Sequence, residues 1–360
     1  MAVSIGEPAP LFYARSNVNP NFFFGSAAVR YLVLTFLDSS TSATGSALLA
    51  GLAIEAVFDA VGAALFVVAT DEGEAASPLW ASEMAGIKVF LDDGKIARLY
   101  GVEARGAAPV SVVVSPRQQV IGIVHGDPGT HAERVLAILR AAPHPQRLEG
   151  VLAHPPILMI PHIFEPELCR ALIDGYDEHG GAPSGFMRDV DGRTVEIADR
   201  RFKVRRDWMV ERPELKAAIQ ERFIRRVVPE IAKYYQFGVT RMERYLVACY
   251  EADDGGHFNA HRDNTTLGTA HRRFAVSLNL NAEAFEGGDL RLPEFGPQTY
   301  RPPTGGGIVF SCSMLHEALP VTRGRRYAFL PFLYDEAARS IRDANLRHVG
   351  GREGERVLPS

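Results

Sequence analysis

The sequence predicts two domains of different class: an α/β domain built on a central sheet over residues 1–145, and a mainly β, antiparallel barrel with flanking helices over 150–336. Three observations carry this. Strand-like and helix-like segments alternate through the first part, the stretch Ala141-Ala142-Pro143-His144-Pro145 interrupts the alternation, and short strands with glycine turns between them follow. A chain of 360 residues suits about two such domains.

In the first domain, Gly6-Glu7-Pro8-Ala9-Pro10-Leu11-Phe12 opens the chain and residues 31–37 (YLVLTFL) read as a buried strand. Residues 46–62 carry apolar side chains at helical spacing, and 64–69 (ALFVVA) form a second strand. Residues 88–91, the turn Asp92-Asp93-Gly94-Lys95, and then 96–100, 110–114 and 120–124 complete the pattern of a sheet covered by helices.

In the second domain, 180–199 is rich in glycine and charge, which suits a mobile loop. Residues 213–237 read as an amphipathic helix, with Leu215, Ile219, Phe223, Val227 and Ile231 forming an apolar stripe toward a sheet. Strands are expected at 243–250 (ERYLVACY), 257–263, 274–281 (FAVSLNLN), 289–295 (DLRLPEF), 308–312 and 326–334 (RYAFLPFLY). Asp254-Gly255-Gly256, Glu286-Gly287-Gly288 and Gly305-Gly306-Gly307 separate several of them, which indicates a double-sheet barrel. Residues 337–360 read as a C-terminal tail. Arg200, Arg201, Lys203, Arg205 and Arg206 form one basic run and Arg222, Arg225 and Arg226 another; with a net charge of −4 over the chain, both read as solvated faces rather than nucleic-acid surfaces.

The constellation His261, Asp263 and His316 carries the chemistry. Two imidazoles and one carboxylate occupy one face of an octahedral Fe(II) and leave three positions open. His261 and Asp263 are two residues apart, so on a strand they point to the same side. The same parity puts His257 on that face, as a residue of the pocket rim. His271 lies among arginines and reads as solvated, and His162, His179 and His348 have no partner pattern.

The run Tyr250, Gly255-Gly256, His261-x-Asp263, Gly287-Gly288-Asp289-Leu290, His316, Pro320-Val321-Thr322-x-Gly324-x-Arg326 resembles the prolyl 4-hydroxylase-like branch of the Fe(II)/2-oxoglutarate-dependent oxygenases, over 157–335. The resemblance implies a double-stranded β-helix of the jelly-roll type, preceded by a strand at 161–164 and a helix at 165–176. It implies iron on His261, Asp263 and His316, with 2-oxoglutarate and O2 as co-substrates and ascorbate as reductant. Arg326 would pair with the distal carboxylate of 2-oxoglutarate, for which a planar guanidinium fork is well matched, and Tyr250 would stand against the same carboxylate. Arg325 points away by strand parity, and Arg323 and Arg325 read as surface charges. No catalytic residue beyond the metal ligands is implied. Related halogenating enzymes replace the carboxylate ligand by a small residue, so Asp263 favours hydroxylation. The expected activity is hydroxylation of a prolyl or other protein side chain, or of a small metabolite, with release of succinate and CO2. The alternatives are a cupin-like iron protein acting as oxygen sensor or small-metabolite oxygenase, with the first domain as a binding module, and a binding protein built of two scaffolds.

The first domain resembles the thioredoxin-like fold, in particular a peroxiredoxin. The Pro-Ala-Pro-x-Phe opening, the strand ending at Leu37, the Asp-Gly turn before Ile96, and Pro109 where that fold often has a cis-proline carry the resemblance. Its chemistry is missing. Peroxide reduction needs a thiolate after the first long strand, and Asp38-Ser39-Ser40-Thr41-Ser42-Ala43-Thr44 has none. The three cysteines, Cys169, Cys249 and Cys312, all lie in the second half, so residues 1–145 read as a docking, substrate-recruiting or supporting module. An odd cysteine count without regular spacing argues against a secreted disulfide framework, and MAVSIGEPAP lacks a signal-peptide pattern. Glu55 and Asp59 interrupt the one long apolar stretch. A cytoplasmic protein without a membrane partner is expected.

Overall fold

Seven consecutive buried residues, Tyr31–Leu37, form the central strand of the first sheet. A strand covered on both faces needs apolar side chains on both, which is why it reads as a continuous run rather than an alternation. The computed structural model describes residues 2–17, 19–27, 30–37, 39–40, 42–52, 62–69, 87–102, 108–142 and 154–349. They fall into two units, Met1–His154 with Pro293–Pro297, and Pro155–Leu292 with Gln298–Ser360.

In the first unit Tyr31–Leu37 runs parallel to Ala63–Ala69 and antiparallel to Val110–Val114; Lys88–Leu91 and Val120–His125 form the edges. Leu32, Leu34 and Phe36 pack with Phe66, Phe90 and Tyr100 on one face. Tyr31, Val33 and Leu37 pack with Leu48, Leu49 and Leu52 of the helix Ala43–Leu52 and with Val135, Leu136 and Leu139 of the helix Pro128–Ala141 on the other. The one polar side chain of the central strand, Thr35, is fully buried and belongs to a closed chain of hydrogen bonds. Nδ1 of His131 faces the Gly126 carbonyl at 2.9 Å and must carry the hydrogen, because a carbonyl only accepts. Nε2 then accepts from the Ser111 hydroxyl at 2.9 Å, and Ser111 in turn accepts from Thr35 at 2.8 Å. The peptide before Pro109 is trans. Of the expected helix at 46–62, residues 53–61 lie outside the described residues, as do Asp38 and Thr41 of the cysteine-free turn and 143–145 of the proline-rich break.

The second unit has two antiparallel sheets. The smaller is ordered Lys203–Val204, His257–His261, His316–Ala318, Leu290–Arg291, Thr299–Tyr300. The larger contains Arg206–Met209, Leu246–Glu251, Val321–Phe329, Phe274–Asn279 and Gly307–Ser311. Alternation along these strands divides their side chains. Leu246, Ala248 and Tyr250 meet Phe258 and Ala318 of the smaller sheet. Val247 and Cys249 face the helices instead, packing with Leu172, Ile219, Phe223, Val227 and Ile231.

Several expected elements differ, each for a local reason. The helix at 213–237 is interrupted: Pro213–Arg222 and Val228–Tyr235 flank a π-helical turn, Phe223–Val227, in which Val228 N–H bonds to Phe223 O. Pro229 has no N–H for Arg225, and the wider turn keeps Ile219, Phe223, Val227 and Ile231 on the buried side. The strand expected at 243–250 breaks at Arg244, whose φ is 64°, into Arg241–Glu243 and Leu246–Glu251. Pro331 separates Val321–Phe329 from Phe332–Tyr334, and Pro293 ends a strand that spans only Leu290–Arg291. Residues 180–199 are not a loop. Phe186–Val190 and Arg193–Ile197 form a hairpin closed at Asp191-Gly192, both at positive φ. Within 337–360, Glu336–Asn345 opens with a helix capped by Asp335, and Asn345 Nδ2 donates to Leu267 O. Among the described residues no helix is long and apolar enough to cross a membrane.

Burial holds the His131 imidazole below its ordinary value of 6.5, so the fold keeps it neutral. The unfolded chain binds the proton more readily, and stability must fall as pH drops below about 6.5. Thermal unfolding followed by circular dichroism between pH 7.5 and 5 should show this fall, with a shallower slope in His131→Gln; equal slopes would sink the assignment.

Candidate metal centre

The smaller sheet places His261 directly opposite His316 in register. The ligand strand is irregular, however. Three residues separate Phe258 from His261 where two separate Ala318 from His316 on the partner strand, so a bulge lies between them. One extra residue exchanges the faces of everything beyond it. Phe258 and His261 therefore share a face and their rings stack at 3.5 Å. His257 is turned to the other side, where its Nδ1 meets Gly255 O, and Asn259 Nδ2 donates to Arg201 O. The expected common face of residues 257 to 263 does not form. The strand also ends at His261, and Asp263 stands in the following turn.

That turn still brings the carboxylate back to the imidazoles. Asp263 Oδ1 lies 3.6 Å from His261 Nε2 and Oδ2 lies 3.3 Å from His316 Nε2. All three donor groups fall within 4.8 Å of one another, and ligands at adjacent corners around a metal with bonds of about 2 Å stand roughly 3 Å apart. The outer nitrogens settle the tautomers. His261 Nδ1 faces Asn259 O at 2.7 Å and His316 Nδ1 faces Met314 O at 3.0 Å, so each Nδ1 carries a hydrogen and each Nε2 is the ring nitrogen turned toward Asp263. Burial, with the neighbouring His316, lowers the His261 imidazole to about 4, leaving it neutral at physiological pH. Burial pushes the Asp263 carboxyl up, but the two imidazoles outweigh it and hold the group well below the carboxylate range. Two imidazoles and one carboxylate suit a divalent cation.

A buried network holds the Asp263 turn from behind. Asp263 N–H donates to Cys312 O, and Arg272 Nη1 donates to the Asp263 carbonyl at 3.4 Å. Arg272 is oriented by Glu243 at 2.7 Å and lies over the Phe332 ring. Glu243 also takes His271 Nε2 at 3.0 Å, so His271 is buried and paired rather than solvated.

Across the barrel, Tyr250 and Arg326 are register partners in the larger sheet and both point inward. Arg326 is 3% exposed and donates to Ser277 Oγ at 2.8 Å and Asn279 Oδ1 at 3.2 Å. Among the described residues no carboxylate pairs with it. Ser277 and Asn279 are polar positions of an otherwise apolar strand, a signal present in FAVSLNLN. Gly288 makes room for the arginine: its φ is 66°, and a Cβ there would stand 2.8 Å from Val321 and 3.2 Å from Arg326 Cδ. Arg325 points outward to Glu251, as parity predicts.

The basic run is divided: Arg200, Arg201 and Arg206 are exposed, as expected, whereas Lys203 and Arg205 are buried, with Val204 buried between them. Lys203 Nζ donates to Ser184 Oγ at 2.7 Å and to Gly185 O, tying down the base of the 186–197 hairpin. Arg205 is bonded twice to Asp207 and once to Tyr250. Arg222 and Arg226 both pair with Glu165. The three cysteines are buried and unpaired, and burial raises Cys169 to about 11 and Cys249 to about 12. None is a thiolate at neutral pH.

Residues 245–334 match the family model of the 2OG-Fe(II) oxygenase superfamily. Part of the chain is similar to PKHD-type hydroxylases. It is 31% identical over 110 residues to one from Synechococcus sp. (strain JA-2-3B'a(2-13)), covering 29% of this chain and 46% of that protein. It is 38% identical over 91 residues to one from Pseudomonas fluorescens, covering 23% and 39%. The chain thus spans less than half the length of these curated relatives. Similar solved structures include a Trichoplax adhaerens prolyl hydroxylase in complex with a hypoxia inducible factor peptide (17% identity, TM-score 0.41, 53% of this chain and 88% of that one). Another is the peroxidoxin BcpB of Mycobacterium tuberculosis (17% identity, TM-score 0.35, 39% and 99%).

Removing the guanidinium behind Asp263 should loosen the metal site without touching a donor atom. Arg272→Met should weaken Co(II) binding, titrated by visible absorbance, by about tenfold; wild-type affinity in the folded variant would refute a holding role for Arg272.

Proposed function

We propose that this protein is an Fe(II)- and 2-oxoglutarate-dependent dioxygenase, which hydroxylates its substrate and releases succinate and CO2. The observation that carries the reading is the presence, inside one barrel, of a three-donor cluster and a buried guanidinium without a counter-ion. Together they complement the two ends of a keto diacid. A cupin-like oxygen sensor would have no use for Arg326.

The bound iron and 2-oxoglutarate supply the oxidising chemistry. The chain's own residues hold and orient. His261, Asp263 and His316 are the metal ligands in this reading, with Phe258 stacked on His261 and Phe310 edge-on to His316 at 4.6 Å fixing the ring planes. Arg326, set by Ser277 and Asn279, clamps the distal carboxylate, and Tyr250 stands beside it. Phe186, Phe202 and Phe258 pack together next to His261 and exclude water from that side. No side chain is required as a general base. Asp263 fills the third ligand position, which supports hydroxylation over halogenation.

The two facing antiparallel sheets support a jelly-roll double-stranded β-helix for the second unit, and the mixed five-stranded order supports a thioredoxin-like first unit. Without a cysteine to react, the first unit serves as a docking or substrate-recruiting module or as support. The substrate is a protein side chain, prolyl among the candidates, or a small metabolite.

The full chain with Fe(II), ascorbate and 2-oxoglutarate should produce succinate, faster when substrate is supplied from a peptide library. His261→Ala should abolish turnover. Arg326→Ala should raise the 2-oxoglutarate requirement roughly 30-fold, about 2 kcal/mol for a hydrogen-bonded charge. Folded protein that makes no iron-dependent succinate would overturn the reading, and an unchanged requirement in Arg326→Ala would overturn the anchor.

A further inference from the structure

Tyr250 is a buried phenol, 3% exposed, with Arg205 Nη1 as its hydrogen-bond partner at 3.4 Å. A guanidinium has five N–H donors and no acceptor, so the phenol oxygen must accept. The phenolic hydrogen then has no acceptor among the described residues. Leaving a buried donor unmet costs about 1–3 kcal/mol, so the position calls for an acceptor that arrives with a ligand.

Arg205 is built to impose this arrangement. It lies where the chain crosses from the smaller sheet, which contains Lys203–Val204, to the larger, which contains Arg206–Met209. Its Nε and Nη2 each donate to a different oxygen of Asp207 at 2.6 Å, a bidentate fork that fixes the guanidinium plane. Arg244 leans on the same carboxylate at 3.4 Å. The guanidinium carbon of Arg205 lies 5.8 Å from the Tyr250 ring centroid, and that of Arg326 lies 5.3 Å from it. One phenol thus adjoins two buried cations; among the described residues Arg205 has a carboxylate partner and Arg326 has none.

We infer that Arg205 is a positioning residue for 2-oxoglutarate: by donating to the Tyr250 oxygen it directs the phenolic hydrogen toward the carboxylate that Arg326 holds. The inference rests on the function proposed above. It gives the buried Arg205–Asp207 pair a task, since such a pair costs desolvation and is no stabiliser in itself.

A double-mutant cycle tests it, read by calorimetric binding of 2-oxoglutarate to the full chain loaded with Mn(II) under nitrogen. Tyr250→Phe removes the donor. Arg205→Met with Asp207→Leu removes both buried charges together, so neither is stranded. Each should weaken binding about tenfold, and the two combined should be no weaker than either alone. Wild-type affinity in the Arg205/Asp207 pair, or losses that multiply in the combination, would overturn the relay. Should the pair variant fail to fold, Arg205→Lys keeps the charge without the fork, and its tenfold loss must vanish in the Tyr250→Phe background. Arg326→Ala, run in parallel, separates the two levels. Unchanged binding there overturns the site reading and the relay with it, whereas loss there beside wild-type binding in the Arg205 variants overturns the relay alone.

Discussion

The register that sets His261 opposite His316 in the smaller sheet is the constraint on which the second unit depends. Side chains on a strand alternate strictly, so a slip of one residue between these two strands would put the two imidazoles on opposite faces. In the pairing of His257–His261 with His316–Ala318, the bulge between Phe258 and His261 breaks the count and puts the two stacked rings on one side. The larger sheet obeys the same rule. Tyr250 opposite Arg326 brings the polar end of the pocket to the inner face, while Val247 and Cys249 next to them fill the helix-facing core.

Buried charge is distributed unevenly around this interior. Asp207 is bonded by Arg205 and Arg244, and Glu243 by Arg272 and His271. In each of these clusters a carboxylate meets its cations, and each cluster backs a neighbour, Tyr250 in one case and the Asp263 turn in the other. Among the described residues Arg326 is bonded only to neutral oxygens of Ser277 and Asn279. A buried cation left in that state is destabilising until an anion meets it.

The first unit solves a different problem. Its central strand is buried on both faces, and Thr35 would be a liability there without Ser111 and His131. The chain of three side chains ends on a backbone carbonyl and leaves no polar atom unmet. The three cysteines of the chain all lie outside this unit, at 169, 249 and 312.

Residue spacing alone was enough for much of this. Glycine-separated short strands pointed to antiparallel sheets, the apolar run 31–37 to a doubly covered strand, and the spacing of His261, Asp263 and His316 to three donor groups that the structure brings within 4.8 Å of one another. Spacing also showed that Lys203 and Arg205 share a face, and that residues at four-residue intervals from Ile219 to Ile231 share a stripe. It left undecided which face was the inner one. Lys203, Arg205 and His271 are buried because strands and helices distant in sequence close over them, and charge composition carries no trace of that closure. The bulge that moved His257 out, and the turn that carries Asp263 in place of a strand, depend on pairing with His316–Ala318 and on Cys312 O. A period of two reports which side chains travel together; only the partner strands decide the side on which they are buried.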